Sequence, residues 1–182
     1  MTDAPRAAPP EPLVVRAIER LSLIAGVIAA GLIFASVLIT CQMIFVRFVL
    51  NASTIWQTEA VVYMMIGATV IGLPYVQKLR GHVNVDLLPL LLPPPLRNVL
   101  AVVVLVASLV VAALMAWYGF ELFHIAWERN WKSDTVWGVP LWIPYAVVPL
   151  GFVLYILQLA VDLFRVRRGE TPFAHGAVAE DA

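Results

Sequence analysis

Residues 21–46 read LSLIAGVIAAGLIFASVLITCQMIFV, twenty-six positions without one Lys, Arg, Asp or Glu. A helix needs about 20 apolar residues to cross the hydrocarbon of a bilayer, and the apolar core of a cleaved signal peptide is only about 7–15 residues long. The run therefore predicts a retained transmembrane helix. Outward from it, a polar turn at Arg47 to Ser53 leads to a second apolar run over about 56–76, closed by Lys78-Leu79-Arg80-Gly81. A third run, about 96–123, follows Pro93-Pro94-Pro95 and carries charge only at Arg97 and Glu121. The fourth, about 141–163, follows the polar stretch Glu128 to Asp134 and holds Pro144 and Pro149 in its first half, where a kink is expected. Between the second and third runs, residues 83–92 are apolar but too short to span and are interrupted by Pro89, which fits a segment lying along the interface.

The whole chain agrees with this reading. Of its 182 residues 62% are hydrophobic and 13% charged, with a mean hydropathy of +0.88, against roughly 45–50% apolar usage in soluble domains. Twelve basic residues balance twelve acidic ones, so no net charge draws the chain to nucleic acid. Cys41 is the single cysteine, which excludes an intrachain disulfide and a Cys/His metal cluster and leaves it as a small packing residue. No segment alternates polar and apolar residues at period two, as a membrane barrel requires. The expected fold is an all-α, four-helix membrane domain over residues 16–168, packed as a bundle, with a disordered tail at 1–15 and a flexible one at 169–182. The second helix pair does not repeat the first, which argues against an inverted-repeat transport core.

Four spans put both termini on one side. Arg6, Arg16, Arg20, Lys78, Arg80, Arg97, Arg165, Arg167 and Arg168 share that side, and Arg47, Arg129 and Lys132 lie opposite. This nine-to-three bias places the termini in the cytoplasm. Trp56, Trp127, Trp131, Trp137 and Trp142 then fall near the outer face as an aromatic belt.

Few side chains suggest chemistry. Glu59, Glu121, His124 and Asp162 each lie near a helix end rather than at mid-bilayer, and His82 and His175 fall outside the spans, so no pair of facing histidines is available to a haem. No cofactor or metal site is expected. Arg47 and Glu59 stand at matching ends of the first hairpin, where an ion pair competes with independent solvation of each group. Small residues recur at four-residue spacing in Ala25/Ala29, Ala68/Gly72 and Ser108/Ala112/Ala116. Such stripes let helices approach closely in lipid, within the chain or against a partner.

The informative string is Arg47-Phe-Val-Leu-Asn51, Trp56-Gln-Thr-Glu59, Gly81-His82-Val83-Asn84-Val85-Asp86, Pro140-Leu-Trp142-Ile-Pro-Tyr145 and Pro149-Leu-Gly151. In order and spacing it resembles the small permease subunit of tripartite ATP-independent periplasmic (TRAP) transporters, the DctQ-like family, from about Arg16 to Arg168. One departure is Thr58, where that family commonly has a second acidic residue. The resemblance implies a bacterial inner-membrane protein that is not an enzyme and that acts as the scaffold for a larger, DctM-like membrane subunit. That subunit carries solute and sodium and receives the solute from a periplasmic solute-binding protein; membrane lipids are the other partner. It also marks Arg47, Asn51, Trp56, Glu59, Gly81, His82, Asp86, Pro140, Trp142, Tyr145 and Pro149 as structural or interface residues. Two other classes make different demands. A homo-oligomeric small transporter or channel needs a polar residue such as Glu59 facing a shared pore, and a membrane-bound enzyme or electron-transfer subunit needs a bound chromophore or metal.

Overall fold

The computed structural model describes residues 12–79 and 94–168, with the side chains of residues 94, 95, 97, 98 and 167 left aside. It contains four helices, α1 (Leu13–Phe48), α2 (Gln57–Lys78), α3 (Pro94–Glu128) and α4 (Trp142–Arg167), and no strand among the described residues. Each is long and apolar enough to cross a membrane. Residues 1–11 and 169–182, the interfacial segment proposed at 83–92, and Gly81, His82 and Asp86 lie outside the described residues, whereas residues 13–15, expected in the disordered tail, already belong to α1.

Helices α1 and α3 outrun their charge-free cores. At 36 and 35 residues they measure about 54 and 52 Å, against a hydrocarbon thickness of about 30 Å. The overhang of α1 is polar on one face: it begins at Leu13 and carries Arg16, Glu19 and Arg20 before the apolar run. Helix ends follow ordinary backbone chemistry. At the end of α3, Trp131 N–H bonds Ala126 O (3.1 Å) and Asn130 N–H bonds Trp127 O (3.3 Å), while Asn130 itself takes φ 49°. That is a Schellman cap, with asparagine at the left-handed position usually given to glycine. Pro144, where the sequence predicts a kink, stands in the first turn of α4, and there the missing N–H has no intrahelical acceptor to lose. Pro149 is interior, and α4 runs through it without a break.

The main seams run in a row, in the order α1–α2–α4–α3, and α1 also touches α4 more lightly at the Glu19 end. Helix α4 is central and the most buried; α3 packs on α4 alone and is the least buried, with no comparable seam to α1 or α2. Glycines set the close seams. A Cβ added at Gly72 would lie 3.4 Å from Ala29 Cβ, and one at Gly26 would strike the Tyr75 ring, so antiparallel α1 and α2 mesh through the Ala25/Ala29 and Ala68/Gly72 stripes. A Cβ at Gly151 would lie 2.7 Å from the carbonyl oxygen of Val70, which is backbone of α2 against α4. A Cβ at Gly119 would lie 3.0 Å from Val148, and Ala112 joins Leu105 and Leu159 in the α3–α4 core. Each stripe thus has an intrachain neighbour. Cys41, by contrast, is exposed and not a packing residue.

Candidate functional site

Polar chemistry collects at the two ends of the row. At the first, Glu19 of α1 faces two cations: Arg165 Nη2 of α4 donates to Glu19 Oε1 at 2.5 Å, and Lys78 Nζ of α2 lies 3.9 Å from Oε2 and donates to the Glu19 carbonyl at 3.2 Å. All three side chains are about a fifth to a quarter exposed. Beside them Gln77 Nε2 donates to Asp162 Oδ2 (2.7 Å), and one turn deeper Ser22 Oγ donates to Gln158 Oε1 (2.7 Å) in a fully buried contact. Five side-chain contacts here tie α1, α2 and α4 together. They also place the basic ends of those three helices side by side.

At the opposite end the contacts run from α2 to the α3–α4 loop. That loop is a short hairpin: Ser133 N–H bonds Val139 O and Leu141 N–H bonds Trp131 O (both 2.9 Å), Lys132 and Pro140 form an antiparallel bridge, and Gly138 turns the tip at φ 60°. The tip lies over the start of α2, where Thr135 Oγ1 donates to Glu59 Oε2 at 2.5 Å, with Tyr63 OH donating to Oε1. Trp137 packs against Trp56 (ring centroids 6.0 Å apart), and Trp127 meets Trp142 edge-on at 4.9 Å. The loop thus bridges α2 to the α3–α4 pair, which matters because α3 has no seam of its own with α2.

The sequence-marked residues separate accordingly. Trp56, Glu59, Pro140 and Trp142 belong to this end cluster; Tyr145 continues the first turns of α4, its N–H bonding Leu141 O (3.2 Å), and Pro149 lies at the Gly119 seam. The structure does not join Arg47 to Glu59: hydroxyls occupy both carboxylate oxygens of Glu59, and among the described residues Arg47 has no carboxylate at ion-pair distance. Asn51 takes φ 52° and reverses the chain after α1. His124 Nδ1 lies 3.6 Å from Glu128 Oε2 on an exposed face.

Sequence reasoning missed Glu19, Ser22, Gln77 and Gln158. A signal was present: carried back toward the N-terminus at helical spacing, the Ala25/Ala29 stripe meets Ser22 and then Glu19, so the buried face of α1 continues into polar residues. Among the described residues no group of three or more His, Cys, Asp or Glu is placed to hold a metal.

Four membrane-crossing helices, fastened at both ends and meshed through glycines, define a multi-pass integral membrane protein. The family described as the DctQ component of tripartite ATP-independent periplasmic transporters matches residues 36–169, and the chain belongs to it: a transporter component of the inner membrane, not an enzyme. Among similar proteins, the C4-dicarboxylate TRAP transporter small permease protein DctQ of Vibrio cholerae is 26% identical over 75% of this chain and 68% of its own. Its namesake in Pseudomonas aeruginosa is 27% identical over 54% of this chain and 48% of its own. The isethionate TRAP transporter permease protein DctMQ of Oleidesulfovibrio alaskensis is 28% identical over 62% of this chain, which spans only 18% of that relative's length.

Proposed function

We propose that this chain is the stationary membrane subunit of an ion-gradient-driven uptake system, against which a larger, DctM-like membrane subunit moves solute delivered by a periplasmic binding protein. The observation that carries the reading is the row of helices. Alternating access requires a central site bounded by elements that rearrange, commonly discontinuous helices, whereas these helices are continuous and their ionisable groups stand at the ends. The row leaves much of the apolar surface of α1 and α3 uncovered, and a partner with many helices finds a broad surface there. The DctMQ relative, much longer than this chain, is named as one permease protein, which supports a close spatial association of the two functions. The relatives are named for C4-dicarboxylates and for isethionate; similar small subunits in systems for different anions fit a subunit that does not select the solute.

The basic-residue bias supports cytoplasmic termini, with the Glu19 end inside and the Glu59 end in the periplasm. Cysteine labelling in a Cys41-free background tests this: external reagent should modify Lys132→Cys and not Arg168→Cys, and the reverse pattern would refute the orientation. For the role, proteoliposomes under a sodium gradient should take up solute only when this chain, the large subunit and the binding protein are all present. Full uptake without this chain would end the scaffold reading; uptake by this chain alone would establish an independent carrier.

A further inference from the structure

Arg47 ends the charge-free stretch of α1 and lies in its last turn, which holds its guanidinium where acyl chains give way to headgroups. Three cations at the other end of the row are engaged: Lys78 and Arg165 share Glu19, and Arg168 lies 4.4 Å over the Phe164 ring. Arg47 has no carboxylate at ion-pair distance among the described residues. Two of the last four carbonyls of α1 are already bonded, Phe45 O by Val49 N–H (2.9 Å) and Val46 O by Ala52 N–H (3.2 Å). The chain then reverses at Asn51 and wraps an open hollow of about 650 Å³, lined by Arg47, Phe48, Asn51, Ala52 and Ser53. Its lining offers a cation, an amide and a hydroxyl, with no carboxylate to repel an anion. Its rim carries apolar surface, since the lining residue Phe48 is 84% exposed and the next two residues, Val49 and Leu50, are exposed as well.

From this juxtaposition we propose that the hollow binds the phosphodiester of a membrane phospholipid. The planar guanidinium matches two phosphate oxygens at once; the Asn51 amide and Ser53 hydroxyl supply further donors, and the glycerol and upper acyl chains lie along Phe48. The apolar rim is what distinguishes a lipid from a free anion, which gains nothing from it. Seated there, the lipid neutralises Arg47 at the mouth of the α1–α2 hairpin.

The test is native mass spectrometry of the full chain released from detergent micelles, titrated separately with dioleoyl phosphatidylglycerol, with dioleoylglycerol and with inorganic phosphate. One phosphatidylglycerol should bind per chain, about fivefold more tightly than to Arg47→Gln, the effect expected of one basic residue near an anionic headgroup. Arg47→Lys, which keeps the charge and loses the fork, should fall between. Arg47 is exposed, and an unchanged circular dichroism spectrum will separate loss of binding from loss of fold. Equal retention by wild type and Arg47→Gln overturns the proposal, as does equal retention of dioleoylglycerol. Displacement of the lipid by millimolar phosphate would make the hollow a free-anion site. If Arg47→Gln leaves lipid bound but releases the large subunit from the purified complex, Arg47 belongs to a protein contact instead.

Discussion

The two ends of the helix row are fastened by different chemistry. At the Glu19 end charged groups meet directly, helix to helix, across three elements, and a buried Ser22–Gln158 hydrogen bond continues the contact inward. At the Glu59 end the direct polar contacts between helices are long, Gln57 to Gln42 and Thr58 to Met43 at 3.5 Å each, and a loop carries hydroxyls and indoles across to α2. Direct contacts between shielded groups are strong because water competes poorly with them, whereas a carboxylate on the wet side of an interface is bound by whichever donors arrive. The first end therefore fixes the mutual position of α1, α2 and α4, and the second fixes where α3 and its loop sit relative to them.

The seam between the ends is the most sensitive place to disturb both. Gly151→Leu forces side-chain atoms into the Val70 backbone and should destabilise the chain by about 1–3 kcal/mol or more, read as a lowered midpoint of thermal unfolding in micelles. Gly31→Ala is the control: nothing lies within 4 Å of its added Cβ, so stability should hold, and an equal loss at both positions would show that the α2–α4 contact is not close.

Breaking the charged end comes next. Glu19→Ala removes the carboxylate shared by Lys78 and Arg165 and should cost about 1.5–3 kcal/mol, the range for hydrogen bonds to charged groups. In a double-mutant cycle with Arg165→Ala the losses should be less than additive; strict additivity would dissolve the contact. The cap of α3 ranks third. Asn130→Ala places an alanine at φ 49° and should lose about 1 kcal/mol, while Asn130→Gly should match or exceed wild type. The smallest global effect belongs to the loop: Glu59→Gln weakens the Thr135 and Tyr63 hydrogen bonds at a half-buried carboxylate beside an exposed loop tip, so unfolding should scarcely change. Amide exchange at Ser133 and Gly138 should nonetheless quicken several-fold while α4 stays protected. Unchanged exchange there would mean the tryptophan pair alone holds the loop.

Much of this architecture is legible in the residues. Charge-free runs gave the spans, because an unpaired charge in hydrocarbon is costly enough to leave a visible gap. The small-residue stripes marked real seams at Ala29–Gly72 and at Ala112. The polar partners were not legible. Glu59 and Arg47 stand a short hairpin apart in sequence, yet the donors to Glu59 are Tyr63, one turn on, and Thr135, seventy-six positions away. Proximity along the chain offered Arg47 as one possible partner, and the loop that supplies the observed one is placed by the packing of α3 on α4.

What the sequence by itself determined is the solvent, the number of helices and the likeness to a family, since each depends on the local density of apolar residues or on the order of short motifs. Only the tertiary structure decided that the helices line up as a row with α4 at its centre, that Glu19 gathers two cations, and that Arg47 stands apart. These depend on which faces meet, and in lipid every apolar face is acceptable to the solvent, so hydrophobicity does not choose among arrangements. Glycine-sized gaps and a few polar contacts do, and they act between positions far apart in the chain.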